Sequence, residues 1–123
     1  MLKTRVIPCL LLKEQGLIKT KNFQSPVYIG DPINAVKIFN DKEVDELVIL
    51  DIYATAEGRR PQFSLIREIA SECFMPLGYG GGIRTLEDIN QLFSIGVEKV
   101  LINSCAVEDP QLIAKASSVY GNQ

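Results

Sequence analysis

Residues 77–86 read LGYGGGIRTL. A short apolar run ends in Gly80, Gly81 and Gly82, and a helical pattern begins directly behind them. Glycine is the residue most costly to order, so consecutive glycines mark a point where side chains would obstruct or where positive φ is needed. A strand ending this way lets backbone approach a ligand closely. The helix that follows points its free N–H groups back at the same spot, and the pair suits an oxyanion, typically phosphate. The same stretch also fits a tight turn with no ligand, and alone it leaves the two readings even.

On either side of this stretch apolar runs recur at near-regular intervals: RVIPCLLL (5–12), ELVILDI (46–52), the weaker FMPLGYG (74–80) and KVLIN (99–103). Runs without alternation suit strands buried on both faces, as in parallel sheets. Helical patterns lie between them. DPINAVKIFNDKEV opens with Asp31 as N-cap and Pro32 at the first position, and Ile33, Val36, Ile38 and Phe39 form its apolar stripe. PQFSLIREIASECF turns Phe63, Ile66, Ile69 and Ala70 inward. TLEDINQLFSIG caps with Thr85, aligns Leu86, Ile89, Leu92 and Phe93, and stops at Gly96; DPQLIAKASSVYG runs from Asp109 to Gly121. The order β-α-β-α-β-α-β-α predicts an α/β fold with a parallel sheet.

One connection is long. Residues 13–30, KEQGLIKTKNFQSPVYIG, hold two β-prone pieces and predict a hairpin over the mouth of the sheet; long loops of this kind are often functional. Without a linker or low-complexity tract, residues 1–123 read as one domain. Four βα units admit an open doubly wound sheet or half of a (β/α)8 barrel. CLLLKEQG lacks the glycines of a phosphate fingerprint after the first strand, which disfavours the open sheet. A half barrel would leave two bare sheet edges, and such edges invite pairing with another chain.

Composition narrows the class. Of 123 residues, 46% are hydrophobic and 23% charged, with a net charge of −2. The pI near 5.1 argues against a broad nucleic-acid surface. No apolar stretch is long enough to span a bilayer, and MLKTRVIPCLLLKEQG reads as a buried strand rather than a signal peptide. Cys9, Cys73 and Cys105 read as reduced, buried thiols of a cytoplasmic protein. Histidine is absent, which excludes His-based catalysis and His-ligated metal within these residues; no metal or cofactor is called for.

Two further strand ends favour a ligand at the glycines. The last strand ends in Asn103 and Ser104, and the second ends at Asp51. In a parallel βα fold the carboxyl ends of the strands form the active face, so three polar strand ends converge there. Asp51 could equally cap a neighbouring helix. Glu57, Arg59 and Arg60 in AEGRRP suit either a solvated turn or an anionic substrate.

The pattern resembles the N-terminal half of the cyclase subunit of imidazole glycerol phosphate synthase, the barrel enzyme of histidine biosynthesis. The likeness is carried by Arg5–Leu10, Gly16–Lys19, Asn22–Phe23, Gly30–Pro32, Asp45–Ile52, Gly80–Ile83 and Gly96–Asn103, and it covers essentially the whole chain. It implies half of a (β/α)8 barrel with a phosphate site at Gly81, Gly82, Asn103 and Ser104. It also implies a loop lysine, Lys19, that closes on substrate, and Asp51 at the ligand face. At the opposite end Arg5, Glu46 and Lys99 match a charged ring that gates ammonia from a glutaminase partner. The family places a catalytic aspartate where this chain has Leu11, and its second carboxylate belongs to the C-terminal half. Leucine transfers no proton, so the imidazole-forming reaction is not expected of this chain. PCLLLK and EVDEL resemble a branch of the family associated with surface-polysaccharide (lipopolysaccharide) genes, in which ammonia is delivered for acetamidino-sugar synthesis. The implied partners are a glutaminase subunit and a phosphorylated sugar or ribonucleotide, with self-assembly if the chain ends at Gln123. A half barrel that only binds a phosphorylated ligand, without turnover, is the reading from another class.

Overall fold

The computed structural model describes residues 4–21, 24–102 and 109–121. Its elements are β1 (Cys9–Lys13), β2 (Gly16–Lys21), β3 (Gln24–Gly30), α1 (Pro32–Asp41), β4 (Leu47–Asp51), α2 (Phe63–Glu72), β5 (Leu77–Gly80), α3 (Leu86–Ser94), β6 (Lys99–Leu101) and α4 (Pro110–Tyr120). One sheet has the order β3-β2-β1-β4-β5-β6; β1, β4, β5 and β6 run parallel, and β2 and β3 are antiparallel additions. This is the α/β arrangement of half a (β/α)8 barrel.

The register sorts the parallel strands into two faces. Leu10, Ile49, Tyr79 and Val100 form one cross-sheet row, flanked by Leu12, Leu47 and Leu77. These pack with Val36 of α1, Ile66 and Ile69 of α2, Ile89 and Leu92 of α3 and Leu112 of α4, so the helices cover this face. The other face carries the rows Cys9–Val48–Gly78–Lys99 and Leu11–Leu50–Gly80–Leu101. Cys9 and Leu101 are exposed there, and Leu11, Val48 and Leu50 are half-buried. A parallel sheet is normally covered on both faces; this one is covered on one.

Several expectations need correction. The hairpin does not lie over the mouth of the sheet. It extends the sheet: β2 pairs with β1 through Leu11–Ile18, Leu12–Leu17 and Lys13–Gly16, so the upper part of the β1 edge is covered rather than bare. The first strand begins at Cys9, not Arg5. Pro8 has no N–H to give, although Val6 and Pro8 still accept from Asp45 and Val48 through their carbonyls, at 3.0 and 2.9 Å. Ile38 leaves the apolar stripe expected of α1 and is 58% exposed. It lies two residues, about 200°, from buried Val36, on the opposite side of α1. Phe74 precedes its strand and is 87% exposed. The thiols are not buried: Cys9 is exposed on the open sheet face and Cys73 is half-buried, while Cys105 falls outside the described residues. Asp31 caps α1 as expected, accepting from the Ile33 N–H at 2.7 Å. Among the described residues no helix is long and apolar enough to cross a membrane.

Candidate functional site

The carboxyl ends of β4 and β5 meet at the glycines. Gly81 and Gly82 have φ of +125° and +73°, where L side chains are strained. Space is closed to them as well. A Cβ on Gly81 would overlap the Asp51 carbonyl oxygen, and one on Gly82 would sit 2.5 Å from that of Arg59. The Tyr79 hydroxyl donates to the Gly81 carbonyl at 2.9 Å, which fixes the turn from below. Tyr79 is fully buried, and burial, followed by the nearby Asp51 charge, pushes its hydroxyl pKa up, so it stays protonated and donating. The glycines therefore let the turn after β5 nest against the end of β4 and its loop.

Asp51 is spent on the same junction. Its side chain is wholly buried. Oδ1 accepts from the Tyr53 N–H at 3.2 Å, and Oδ2 from Arg59 Nη1 and Gln62 Nε2, each at 3.3 Å. Gln62 holds the N-cap position of α2 without capping it, and its amide also donates to the Glu14 carbonyl in the β1–β2 turn. One amide thus joins the ends of β1 and β4. Arg59 is held by Glu57 at 3.2 Å as well as by Asp51, and these carboxylates raise its pKa. Arg60 is bound by Asp88, at 2.5 and 3.0 Å, and its guanidinium lies 5.4 Å over the Phe63 ring. Glu14, Gln15, Glu57, Arg59, Arg60 and Gln62 line an open cleft of about 680 Å3 at this end of the sheet.

Asp88 is the residue that sequence reasoning missed. It sits at the third position of α3 and closes a capping box with Thr85: it accepts from the Arg84 and Thr85 N–H groups at 3.1 and 3.2 Å, and its own N–H donates to Thr85 Oγ1 at 3.1 Å. Burial opposes its charge, yet Arg60 and the Arg84 N–H outweigh that and hold its carboxyl below its ordinary value. The spacing Thr-x-x-Asp in TLED was the available signal. The first N–H groups behind the glycines are therefore partly committed within the chain.

Leu11 lies on the open face, beside Leu50 of β4 and Ile18 of β2. Lys19 is not in an irregular loop but on β2, exposed and paired with Val27; it shares a hollow of about 240 Å3 with Leu11. Asn103 and Ser104 lie outside the described residues.

At the opposite end, the structure brings the three predicted charges together. Lys99, the first residue of β6, donates to Glu46 Oε1 at 2.8 Å, and Arg5, ahead of β1, pairs with the same oxygen. Glu46 immediately precedes β4 and is buried; Lys99 and Arg5 are half-exposed. The Lys99 hydrogen bond, against burial and with help from Arg5, holds the Glu46 carboxyl below its ordinary value. Strand order puts this cluster at the amino ends of the strands, a strand's length from Asp51 and Gly81.

Residues 5–123 match the family described as histidine biosynthesis protein. The chain belongs to that family. It is similar to a Pseudomonas aeruginosa protein provisionally named imidazole glycerol phosphate synthase subunit hisF2, at 56% identity over all of this chain and 49% of the relative. A Leptospira interrogans protein with the provisional name imidazole glycerol phosphate synthase subunit HisF is 52% identical over 48% of its length. The imidazole glycerol phosphate synthase subunit HisF of Streptococcus mutans is 40% identical over 49%. The chain spans about half the length of the curated relatives it matches.

Proposed function

We propose that this half barrel belongs to a synthase subunit that receives ammonia from a glutaminase partner at the amino ends of its strands and holds a phosphorylated sugar or ribonucleotide at their carboxyl ends. The observation that carries the reading is the Arg5–Glu46–Lys99 cluster. Two cations from sequence-distant segments, Arg5 and Lys99, converge on one oxygen of Glu46, at the face opposite the glycine turn. A buried carboxylate clamped between two half-exposed cations can be opened by moving either cation, which is the behaviour a gate needs. Gly81, Gly82, Asn103, Ser104 and Lys19 are proposed as the ligand side, with Arg59 and Arg60 as adjacent cations and Asp51 buried behind them, positioning Arg59.

Leu11 favours ammonia delivery over imidazole formation, the branch linked to surface-polysaccharide synthesis. Leu11 sits in the middle of β1, and its apolar side chain can neither donate nor accept a proton. The test is the hydrolysis rate of a cognate glutaminase with and without this protein. At least ten-fold stimulation is expected, with no imidazole product from the ribonucleotide and ammonia. No stimulation at saturating partner overturns the reading.

The absence of a carboxylate at Leu11 also fits a second reading, a half barrel that binds phosphorylated ligand without turnover. Titration with ribose 5-phosphate separates the two: binding in the absence of any glutaminase effect supports the second. Unchanged binding in an Asn103→Ala, Ser104→Ala variant removes the proposed phosphate site from both.

A further inference from the structure

Phe74 is the most exposed large apolar side chain among the described residues. It lies on the connection from α2 to β5, and the α1–β4 and α3–β6 connections of the same chain flank it on either side. The ring is held out rather than left loose. Asn40 Oδ1 accepts from the Phe74 N–H at 3.0 Å, and Asn40 Nδ2 donates to the Glu72 carbonyl at 2.7 Å, so one side chain of α1 grips the loop on both sides of Cys73. Beside the ring lies a hollow of about 300 Å3 lined by Asn40, Glu43, Val44, Phe74 and Met75. Glu43, on the rim of that hollow, has a φ of +54°. It follows the C-cap of α1, where glycine would take this conformation without strain. An exposed carboxylate is kept there against the backbone's preference, and strain of this kind gathers at functional positions.

The patch is continuous with the charged cluster at the amino ends of the strands. The Pro76 carbonyl accepts from the Leu47 N–H at 3.0 Å, next to Glu46, and the Leu77 carbonyl accepts from the Glu98 N–H at 2.8 Å, next to Lys99. The Phe74 loop therefore enters the sheet between the two residues that form the Lys99–Glu46 bond. We propose, resting on the ammonia delivery set out above, that Phe74 is the anchor by which the glutaminase partner docks over this cluster. Its ring enters an apolar socket on the partner, and Glu43 meets a cation on the socket's rim. The chemistry of ammonia selects this occupant. Ammonia that escapes into neutral water is protonated and ceases to be a nucleophile, so its donor has to close tightly around the point of entry. A rigid aromatic side chain beside that point, with a hollow at its foot, is the kind of residue that carries most of the energy of a protein contact. Lys42, also exposed, adjoins Glu43, and Glu72 lies two residues from Phe74, so the rim is mixed in charge and the ring is its apolar centre.

Calorimetric titration of a cognate glutaminase with the full chain gives the dissociation constant, and the glutamine hydrolysis rate at saturation gives the stimulation, as two separate readouts. Phe74→Ser is expected to raise the dissociation constant about 30-fold, the loss of one aromatic anchor, while stimulation at saturation and the melting temperature stay at the parent values. Asn40→Ala keeps the ring but frees its loop, and is expected to weaken binding by a smaller factor. Glu43→Gly is expected to weaken binding while raising the melting temperature, because the strained backbone relaxes. Phe74→Ser that binds as tightly as a parent that stimulates the glutaminase overturns the anchor and leaves ammonia delivery standing. A lowered melting temperature in Phe74→Ser shows that the ring packs within the fold, and also overturns the anchor. A parent that neither binds nor stimulates the glutaminase overturns both.

Discussion

At Gly81 the backbone leaves β5 within contact of the Asp51 carbonyl, and at Gly82 it passes the carbonyl of Arg59. Both residues combine positive φ with a filled Cβ position, so the need for glycine is conformational and steric at once. Gly58 separates the two effects: its φ is +67°, but nothing lies within 4 Å of its Cβ position. Gly58→Ala should then cost about 1 kcal/mol from backbone strain alone. Gly81→Ala and Gly82→Ala should each cost on the order of 3 kcal/mol, because the end of β4 has to move as well. Denaturant titration of the three variants checks this, and equal costs would refute the steric part. The triplet was legible as a point of close approach. What approaches was not: the partner is the carbonyl of a residue thirty positions earlier, and only the register of β4 against β5 reveals it. Asp51 was likewise legible as a strand-end carboxylate, but its burial under Gln62 and Arg59 is a tertiary fact.

Two helix starts were readable and two less so, since Asp109 and Gln62 hold N-cap positions without capping; helix flanks were the least readable. Asp31-Pro32 and Thr85 mark their helix starts through local chemistry that needs no tertiary partner. Ile38 looked like core because it is apolar, yet its angle around α1 contradicts that, and angle rather than polarity decided. The hairpin was legible as β-prone; its side of attachment was not, because both edges of the sheet offer the same backbone groups. The α3 cap makes a test at this scale. Thr85→Ala should cost about 1 kcal/mol, an ordinary cap. Asp88→Ala should cost roughly 2–3 kcal/mol, since it also strands the Arg60 guanidinium and unfastens the β4–α2 loop. Arg60→Ala should cost less than Asp88→Ala: its side chain is 62% exposed, and the Arg84 and Thr85 N–H groups still hold the carboxylate. Chemical denaturation of the three variants ranks them; Arg60→Ala as the costliest would contradict this account.

Across the whole molecule, Glu46 ties the segment ahead of β1, the start of β4 and the start of β6 at one oxygen, over sequence separations of 41 and 53 residues. Contacts of that range hold strand starts together only when the sheet is assembled, so the cluster reports on global rather than local order. Its carboxyl is held below the ordinary value of 4.5 by Lys99 and Arg5. A carboxyl with a lowered folded value stabilises the fold fully above its unfolded value, and that contribution fades as pH falls through the folded one. Glu46→Gln removes the charge and leaves Arg5 beside Lys99. Above pH 5 the variant should therefore be less stable than the parent. Below pH 4 the gap should narrow, because the parent loses the same interaction by protonation. Thermal melts of the two proteins from pH 3 to 8 measure this. A constant gap would mean that Glu46 stabilises by packing and not by charge. In that case the cluster would also lose its claim to be a gate, since a contact indifferent to the carboxylate's charge could not be opened by withdrawing a cation.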